Sequence, residues 1–192
     1  MSDYRAITYA QLRNIMPCCT DVRATLFLPF LNAAMEEFEI DTTARQAAFL
    51  AQIAHESGSL AYTRELATGE AYDGRIDLGN TRPEALEIAR QKDSTPGRLY
   101  KGRGLIQITG YANYFACSRA LFGDGGTLTH NPVMLERKEL AARSAAWFWK
   151  SRGLNALADA GLFESITRRV NGGLNGQRER LAFFERAKEV LA

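Results

Sequence analysis

The sequence is poor in the residues that build disulfide frameworks and metal sites. Its 192 residues include three cysteines, of which Cys18 and Cys19 are adjacent, so the odd count predicts no disulfide framework. Such cysteine use is typical of a chain made in a reducing cytosol. The sequence has no C-x-x-C pair and only two histidines, His55 and His130, so we expect neither a metal ion nor another cofactor.

Long apolar runs and strong charge are also missing. The most apolar segment, "TLFLPFLNAAM", is short and contains Pro29 and Asn32, so no stable membrane insertion is expected. The start, "MSDYRAITYAQL", has neither the basic residues nor the apolar core of a signal peptide. A formal net charge of +2 gives no reason to expect nucleic-acid binding. These features predict a soluble chain that needs another protein for its release.

What the sequence contains is the composition of an ordinary globular domain. Hydrophobic residues make up 46% of it and charged residues 24%, and no repeat or low-complexity linker divides it. We therefore expect a single, mainly α-helical domain over residues 1–192. Apolar periodicity predicts helices at 22–38, 111–121, 136–151, 153–159, 162–170 and 177–191, with another after Pro83.

Capping signals define two helices more closely. Thr8 is placed to cap a short helix near the start of the chain. Thr43 followed by Gln46 has the form of a capping box, and Gly58 supplies the stop, so a helix is predicted over 44–57.

Two later segments read as loop and strand. Residues 67–82 are rich in glycine, aspartate and asparagine and predict an exposed loop. The run "LIQIT" has the character of a short strand, whose alternation places Gln107 and Thr109 on one face.

Glu56 occupies an unusual position in the helix predicted over 44–57. Phe49, Ile53 and Glu56 share one face, so the carboxylate extends an apolar stripe near the negative end of the helix dipole. Both surroundings favour the protonated form, and a protonated carboxyl near neutral pH is what a general acid requires. For an isolated glutamate the commoner interpretation is structural: the side chain faces water or pairs with an arginine such as Arg64.

Glu65 is the natural partner for Glu56 because it lies beyond Gly58, on a segment that can fold back across a cleft. Glycoside hydrolysis commonly needs one protonated carboxyl group and one carboxylate. Two glutamates alone are a weak signal, and the following loop offers three competitors for the second role: Glu70, Asp73 and Asp77.

Other chemistries fit the sequence poorly. The zinc-protease pattern H-E-x-x-H requires a histidine at the position that Ser59 occupies. There is no G-x-S-x-G, and Cys117 lacks the basic setting of a nucleophilic cysteine. The "GRG" at 102–104 lacks the ending of a phosphate-binding loop.

Three motifs together resemble glycoside hydrolase family 19, the chitinase-like group that includes bacteriophage endolysins. They are "AHES", "YKGRGLIQITGYANY", and "VNGG" followed by "RERLAFFER". The resemblance covers roughly residues 45–190, and "ITYAQLRNIMP" is similar to the opening of phage and bacterial members. It implies a lysozyme-like helical fold of two lobes, with a substrate cleft, minimal β structure and no separate wall-binding module.

The resemblance also implies roles for individual residues. Glu56 matches the general acid, Glu65 the general base of an inverting mechanism, and Thr109 the residue that holds the attacking water. The residues that match substrate contacts are Gln107, Tyr111, Asn113, Asn171 and Arg180, with Arg180 expected close to the base. Tyr114 is a further candidate contact, for which a packed core aromatic is at least as good an interpretation.

Three functions are compatible with these residues. The leading hypothesis is a monomeric endolysin that cuts the β-1,4 bonds of peptidoglycan as a muramidase. It would be made in the host cytoplasm and released through a holin-type partner to act in the periplasm of a Gram-negative host. The second is a chitinase acting on chitin oligomers, with the same catalytic residues. The third is an inactive glycan-binding protein of a phage particle, which would need no acid, base and water holder.

Overall fold

The computed structural model describes residues 4–192, and this part of the chain is mainly helical. Residues 1–3 of the predicted domain lie outside it. The α-helices are α1 Tyr9–Ile15, α2 Asp21–Glu37, α3 Thr43–Glu56, α4 Pro83–Gln91, α5 Pro96–Leu99, α6 Tyr111–Phe122, α7 Gly126–His130, α8 Lys138–Ser151, α9 Leu154–Asp159, α10 Phe163–Asn171 and α11 Gln177–Leu191. Short 3-10 helices cover Glu70–Tyr72 and Pro132–Glu136. The predicted fold class is confirmed.

Local capping chemistry explains where the first helices begin. Thr8 caps α1, as the sequence predicts, and Gln11 completes a reciprocal capping box with it. The box expected from Thr43 and Gln46 is wrong by one residue, because Thr42 caps α3. Gln46 instead turns inward, where its amide donates to the carbonyl of Arg5 at 2.8 Å.

The short helices α5 and α7 were not predicted. Each has five residues or fewer, which is too short to show an apolar period. Thr95 caps α5, and its hydroxyl oxygen accepts from the Arg98 amide at 3.4 Å. Gly125 is the N-cap of α7 and Gly126 is its first residue, and neither glycine is a signal for a helix.

The expected strand in "LIQIT" is a hairpin turn instead. Arg103 and Ile108 exchange two backbone hydrogen bonds, of 3.1 and 2.7 Å, and the intervening residues form the turn. Gln107 has a positive φ of 55°, which a strand does not allow. The alternation argument for Gln107 and Thr109 is therefore wrong, although the two side chains do lie close together.

Two separate apolar cores make the two lobes. The first is built from α1, α2, α3, α8, α9, α10 and α11, and the second from α4, α6, α7 and the residues around Tyr100. Phe38 and Phe148 contact both cores. The hairpin at 103–108 also joins them, because Leu105 and Ile106 enter the first core while Ile108 enters the second.

Over residues 4–192, no helix has both the length and the apolar character that crossing a membrane requires.

Candidate active site

Glu56 is the last residue of α3, and it contacts a buried arginine from the end of the chain. The Nη2 of Arg180 donates to Glu56 Oε1 at 2.5 Å. The Arg180 side chain is 1% exposed and that of Glu56 is 18% exposed. Glu56 therefore reaches solvent on one side while a fixed cation lies on the other.

A hydrogen-bond network inside the first lobe holds this arginine in place. The Nη1 of Arg180 donates to Gln52 Oε1 at 2.5 Å, and its Nε donates to the carbonyl of Asn175 at 3.2 Å. Gln52, which is fully buried, donates in turn to Thr167 Oγ1 at 2.9 Å. Each of the three guanidinium nitrogens donates a hydrogen bond, which fixes the orientation of the group.

The network bears on three sequence expectations. Glu56 is not a lone carboxylate at the end of an apolar stripe, because Arg180 lies against it. Arg180, which was expected close to the base, contacts the predicted acid. The structural alternative is right in kind, since Glu56 does pair with an arginine, but the partner is Arg180; Arg64 instead faces Glu136 at 3.7 Å.

His55, beside Glu56, fixes the start of α11. Its Nδ1 lies 2.6 Å from Glu179 Oε2. The ring also packs on Gly176, where an added Cβ would come within 2.2 Å of it. Gly176 immediately precedes α11. Its contact with His55 therefore helps to position the start of α11, the helix that carries Arg180.

Glu65, the second predicted carboxylate, has a hydrogen-bond donor on each of its oxygens. The Tyr72 hydroxyl donates to Oε1 at 2.9 Å, and the Gly102 amide donates to Oε2 at 3.1 Å. Burial, and after it the hydrogen bond to Glu65, raise the pKa of the Tyr72 phenol, so Tyr72 stays a donor. The two donors fix the orientation of Glu65.

The three competing carboxylates each have a structural partner. Glu70 pairs with Arg98, and Asp77 pairs with Arg75 at 2.6 Å. Asp73 accepts a hydrogen bond of 2.7 Å from the Gly97 amide. The geometry therefore favours Glu65 as the second carboxylate of the site.

Three of the predicted polar residues gather around Gly102, next to Glu65. A Cβ added to Gly102 would lie 2.5 Å from Gln107 Oε1 and 3.2 Å from Thr109 Oγ1. The Thr109 hydroxyl donates to the Gln107 carbonyl at 2.9 Å, and the Asn113 amide donates to the Thr109 carbonyl at 2.7 Å. Glu65, Gln107 and Thr109 thus all lie against Gly102. A side chain at position 102 would occupy the space between them.

The two candidate tyrosines lie in the second core. Tyr114 is fully buried and donates to the carbonyl of Lys101 at 2.7 Å, so its interpretation as a core aromatic is right. Tyr111 is 6% exposed, and its ring packs edge-on against Tyr100. Little of the Tyr111 ring is left to contact a sugar.

Asn171 ends α10, at the base of the loop that leads to α11. Its Nδ2 is buried and has no hydrogen-bond partner within residues 4–192. The structure thus places Arg180 against Glu56, and Gln107 and Thr109 beside Gly102 next to Glu65, with Asn113 hydrogen-bonded to Thr109.

The sequence did not identify Gln52, Arg103 and Tyr72, which hold the neighbours of the two carboxylates or, for Tyr72, Glu65 itself. Gln52 precedes Glu56 by one helical turn, and that spacing alone was a usable signal for it. Arg103, between two glycines, is 6% exposed and donates to Glu136 at 2.8 Å. Tyr72 carried no signal, because the path of the loop decides where its hydroxyl lies.

No group of His, Cys, Asp and Glu suited to holding a metal ion occurs within the described residues.

Comparisons with known proteins find one matching family model and several similar proteins. The family model described as chitinase class I matches residues 22–159. A glycosyl hydrolase family 19 domain-containing protein of Haemophilus influenzae is 31% identical over 174 residues, covering 80% of this chain and 84% of the relative. An endochitinase of Arabidopsis thaliana is 37% identical over 134 residues, which are 69% of this chain and 41% of the plant protein. This chain therefore matches less than half the length of that plant relative.

Solved structures have the same fold. Chitinase C from Streptomyces griseus superimposes with a TM-score of 0.77 at 24% identity, covering 98% of this chain and 94% of that one. A class IV chitinase from Zea mays gives a TM-score of 0.70 at 20% identity, covering 100% and 95%. At these identities the likeness concerns the fold.

Proposed function

The chain belongs to glycoside hydrolase family 19 and is a glycoside hydrolase, and we propose that it is an endolysin-type enzyme. In this proposal it hydrolyses the β-1,4 bonds of bacterial peptidoglycan, as a muramidase, with inversion at the reacting carbon. Glu56 is the general acid, Glu65 the general base and Thr109 the residue that holds the attacking water.

The observation that carries the mechanism is that the two carboxylates have different partners. Glu56 has one buried cation beside it and one solvent-facing side, where a glycosidic oxygen can take its proton. Glu65 is oriented by two donors and can accept a proton from water. The Thr109 hydroxyl donates to the Gln107 carbonyl, so its oxygen remains free to accept a hydrogen from that water. Direct displacement by water inverts the reacting centre.

Two features support peptidoglycan as the substrate. The cysteines are free, and Cys18 is exposed, which suits a chain folded in a reducing cytosol rather than a disulfide-bonded secreted chitinase. The segment "ITYAQLRNIMP" resembles the opening of phage and bacterial members of the family. Release through a holin-type partner and action as a monomer in the periplasm belong to the same proposal.

Chitin is the second candidate substrate. Several relatives are named endochitinases, and the same acid, base and water holder serve either glycan. An inactive glycan-binding role has less support, because a protein that only binds needs none of these three residues.

Turnover of purified peptidoglycan strands and of chitin oligomers by the same enzyme preparation decides between the substrates. We expect new reducing ends from peptidoglycan at a higher kcat/KM than from chitin oligomers. Turnover of chitin alone would contradict the peptidoglycan proposal. Binding to either glycan without product would support the inactive role.

A further inference from the structure

A cavity on the second lobe is lined by residues that have no part in the mechanism above. Its volume is about 490 Å³. Apolar side chains form much of its wall and charged side chains the remainder: Lys92, Leu99, His130, Asn131, Pro132, Val133, Met134, Glu136 and Arg137. Val133 is 59% exposed, so the cavity has an apolar surface open to solvent.

Glu136 links this cavity to the site. One of its oxygens accepts from Arg103 Nε at 2.8 Å, and the other lies 3.7 Å from Arg64 Nη1. Arg64 precedes Glu65 in the chain, and Arg103 follows Gly102, whose amide donates to Glu65. The Arg103 Nη1 also donates to the carbonyl of Leu99 on the cavity wall, at 2.8 Å. Arg103 thus connects the wall of the cavity to its neighbour Gly102, whose amide orients the predicted base.

The charge of the cavity is positive. Glu136 is the one carboxylate on its wall, and Arg103 and Arg64 already face it. Lys92 and Arg137 are both exposed. Two cations against a single carboxylate leave the wall with a net positive charge. An anionic ligand with apolar parts is the complementary partner.

We propose that this cavity binds the peptide stem of a peptidoglycan strand while the glycan lies across Glu65. The inference rests on the proposed function and specifies which part of that substrate the enzyme recognises. Stem peptides combine free carboxylates, which suit Lys92 and Arg137, with small apolar residues, which suit Leu99 and Val133. Chitin has neither, so occupancy of the cavity separates the two candidate substrates.

The test compares peptide-bearing glycan strands with the same strands after an amidase has removed the peptides. The variant is Lys92→Gln with Arg137→Gln, and the control is Arg5→Gln with Arg119→Gln, which removes the same charge from exposed sites elsewhere. We expect the wild type and the control to prefer peptide-bearing strands. The cavity variant should lose about threefold to tenfold in kcat/KM on those strands, as expected for two exposed ion pairs, and cut stripped strands normally.

Two results would overturn the inference: a wild type that cuts both kinds of strand at the same rate, or a cavity variant that keeps the preference. Cleavage of chitin oligomers with no cleavage of either strand would instead contradict the proposed function. The outcomes for the two proposals are therefore distinct.

Discussion

Arg180 and Glu56 lie 124 residues apart in the sequence and form an ion pair in which the arginine is almost completely buried. The contact joins α11 to α3, and Gln52 completes it from within α3. A carboxylate that serves as a general acid must point at its substrate, and this pair fixes where Glu56 points. Loss of the arginine should therefore affect both folding and turnover.

Arg180→Lys tests the shape of this contact while keeping its charge. A lysine ammonium cannot donate to Glu56, Gln52 and the Asn175 carbonyl from the positions that the guanidinium uses. We expect the free energy of unfolding to fall by about 2 kcal/mol and kcat to fall at least about tenfold. Arg178→Lys, on the exposed side of the same helix, is the control and should change neither. Wild-type turnover by Arg180→Lys would show that the contact does not orient Glu56.

Tyr72→Phe removes one of the two donors to Glu65 and little else. We expect kcat to fall about tenfold, because one hydrogen bond to a charged group is lost, while KM changes less than about twofold. Steady-state kinetics and a thermal melt measure both effects. Tyr62→Phe is the matched control, since Tyr62 is 50% exposed. Equal losses in the two variants, or a loss confined to KM, would contradict an orienting role for Tyr72.

Gly176→Ala and Gly161→Ala separate backbone strain from a side-chain clash. Both glycines have a positive φ, of 72° and 69°, so alanine costs about 1 kcal/mol at either position. Only Gly176 faces the His55 ring, and a Cβ at Gly161 meets nothing within 4 Å. We expect Gly176→Ala to be less stable than Gly161→Ala in denaturant titrations, and also less active. Equal stability and activity would show that the start of α11 does not depend on His55.

The three cysteines should differ sharply in reactivity. Cys18 is exposed, whereas Cys19 and Cys117 are buried. Burial raises the pKa of the Cys117 thiol to about 12 and raises the pKa of Cys19 as well, so both remain protonated at pH 8. We expect a thiol reagent at pH 8 to titrate one group at once and the other two only after denaturation. Prompt reaction of two or three groups would contradict the described burial.

The helices are the part of the structure that the sequence predicted best, because their signals are local. Thr8 at the start of α1 and the glycine after α3 act within one turn of the residues they control. Glu65 and Thr109 could be named from motifs before their surroundings were known. The error of one residue at the start of α3 arose because Thr42 and Thr43 are chemically equivalent caps, and only the backbone decides between them.

Contacts between distant segments could not be predicted in this way. The turn at Gln107 depends on Leu105 and Ile106 entering the first core, which overrides the strand preference of the run. The Tyr72 hydroxyl reaches Glu65 because its loop packs on the next segment, where a Cβ on Gly69 would meet the Gly97 carbonyl at 2.5 Å. Neither contact has a signal in residue spacing.

The most direct measurement of the central claim is the rate at which Glu56→Gln releases new reducing ends from peptidoglycan strands and chitin oligomers. Its control is Glu189→Gln, an exposed position on α11. Circular dichroism and a melt establish that both variants fold. If Glu56 is the general acid, its variant loses roughly a hundredfold to ten-thousandfold in kcat on whichever glycan the wild type cuts, while the control matches the wild type. A folded Glu56→Gln with wild-type turnover would contradict the mechanism.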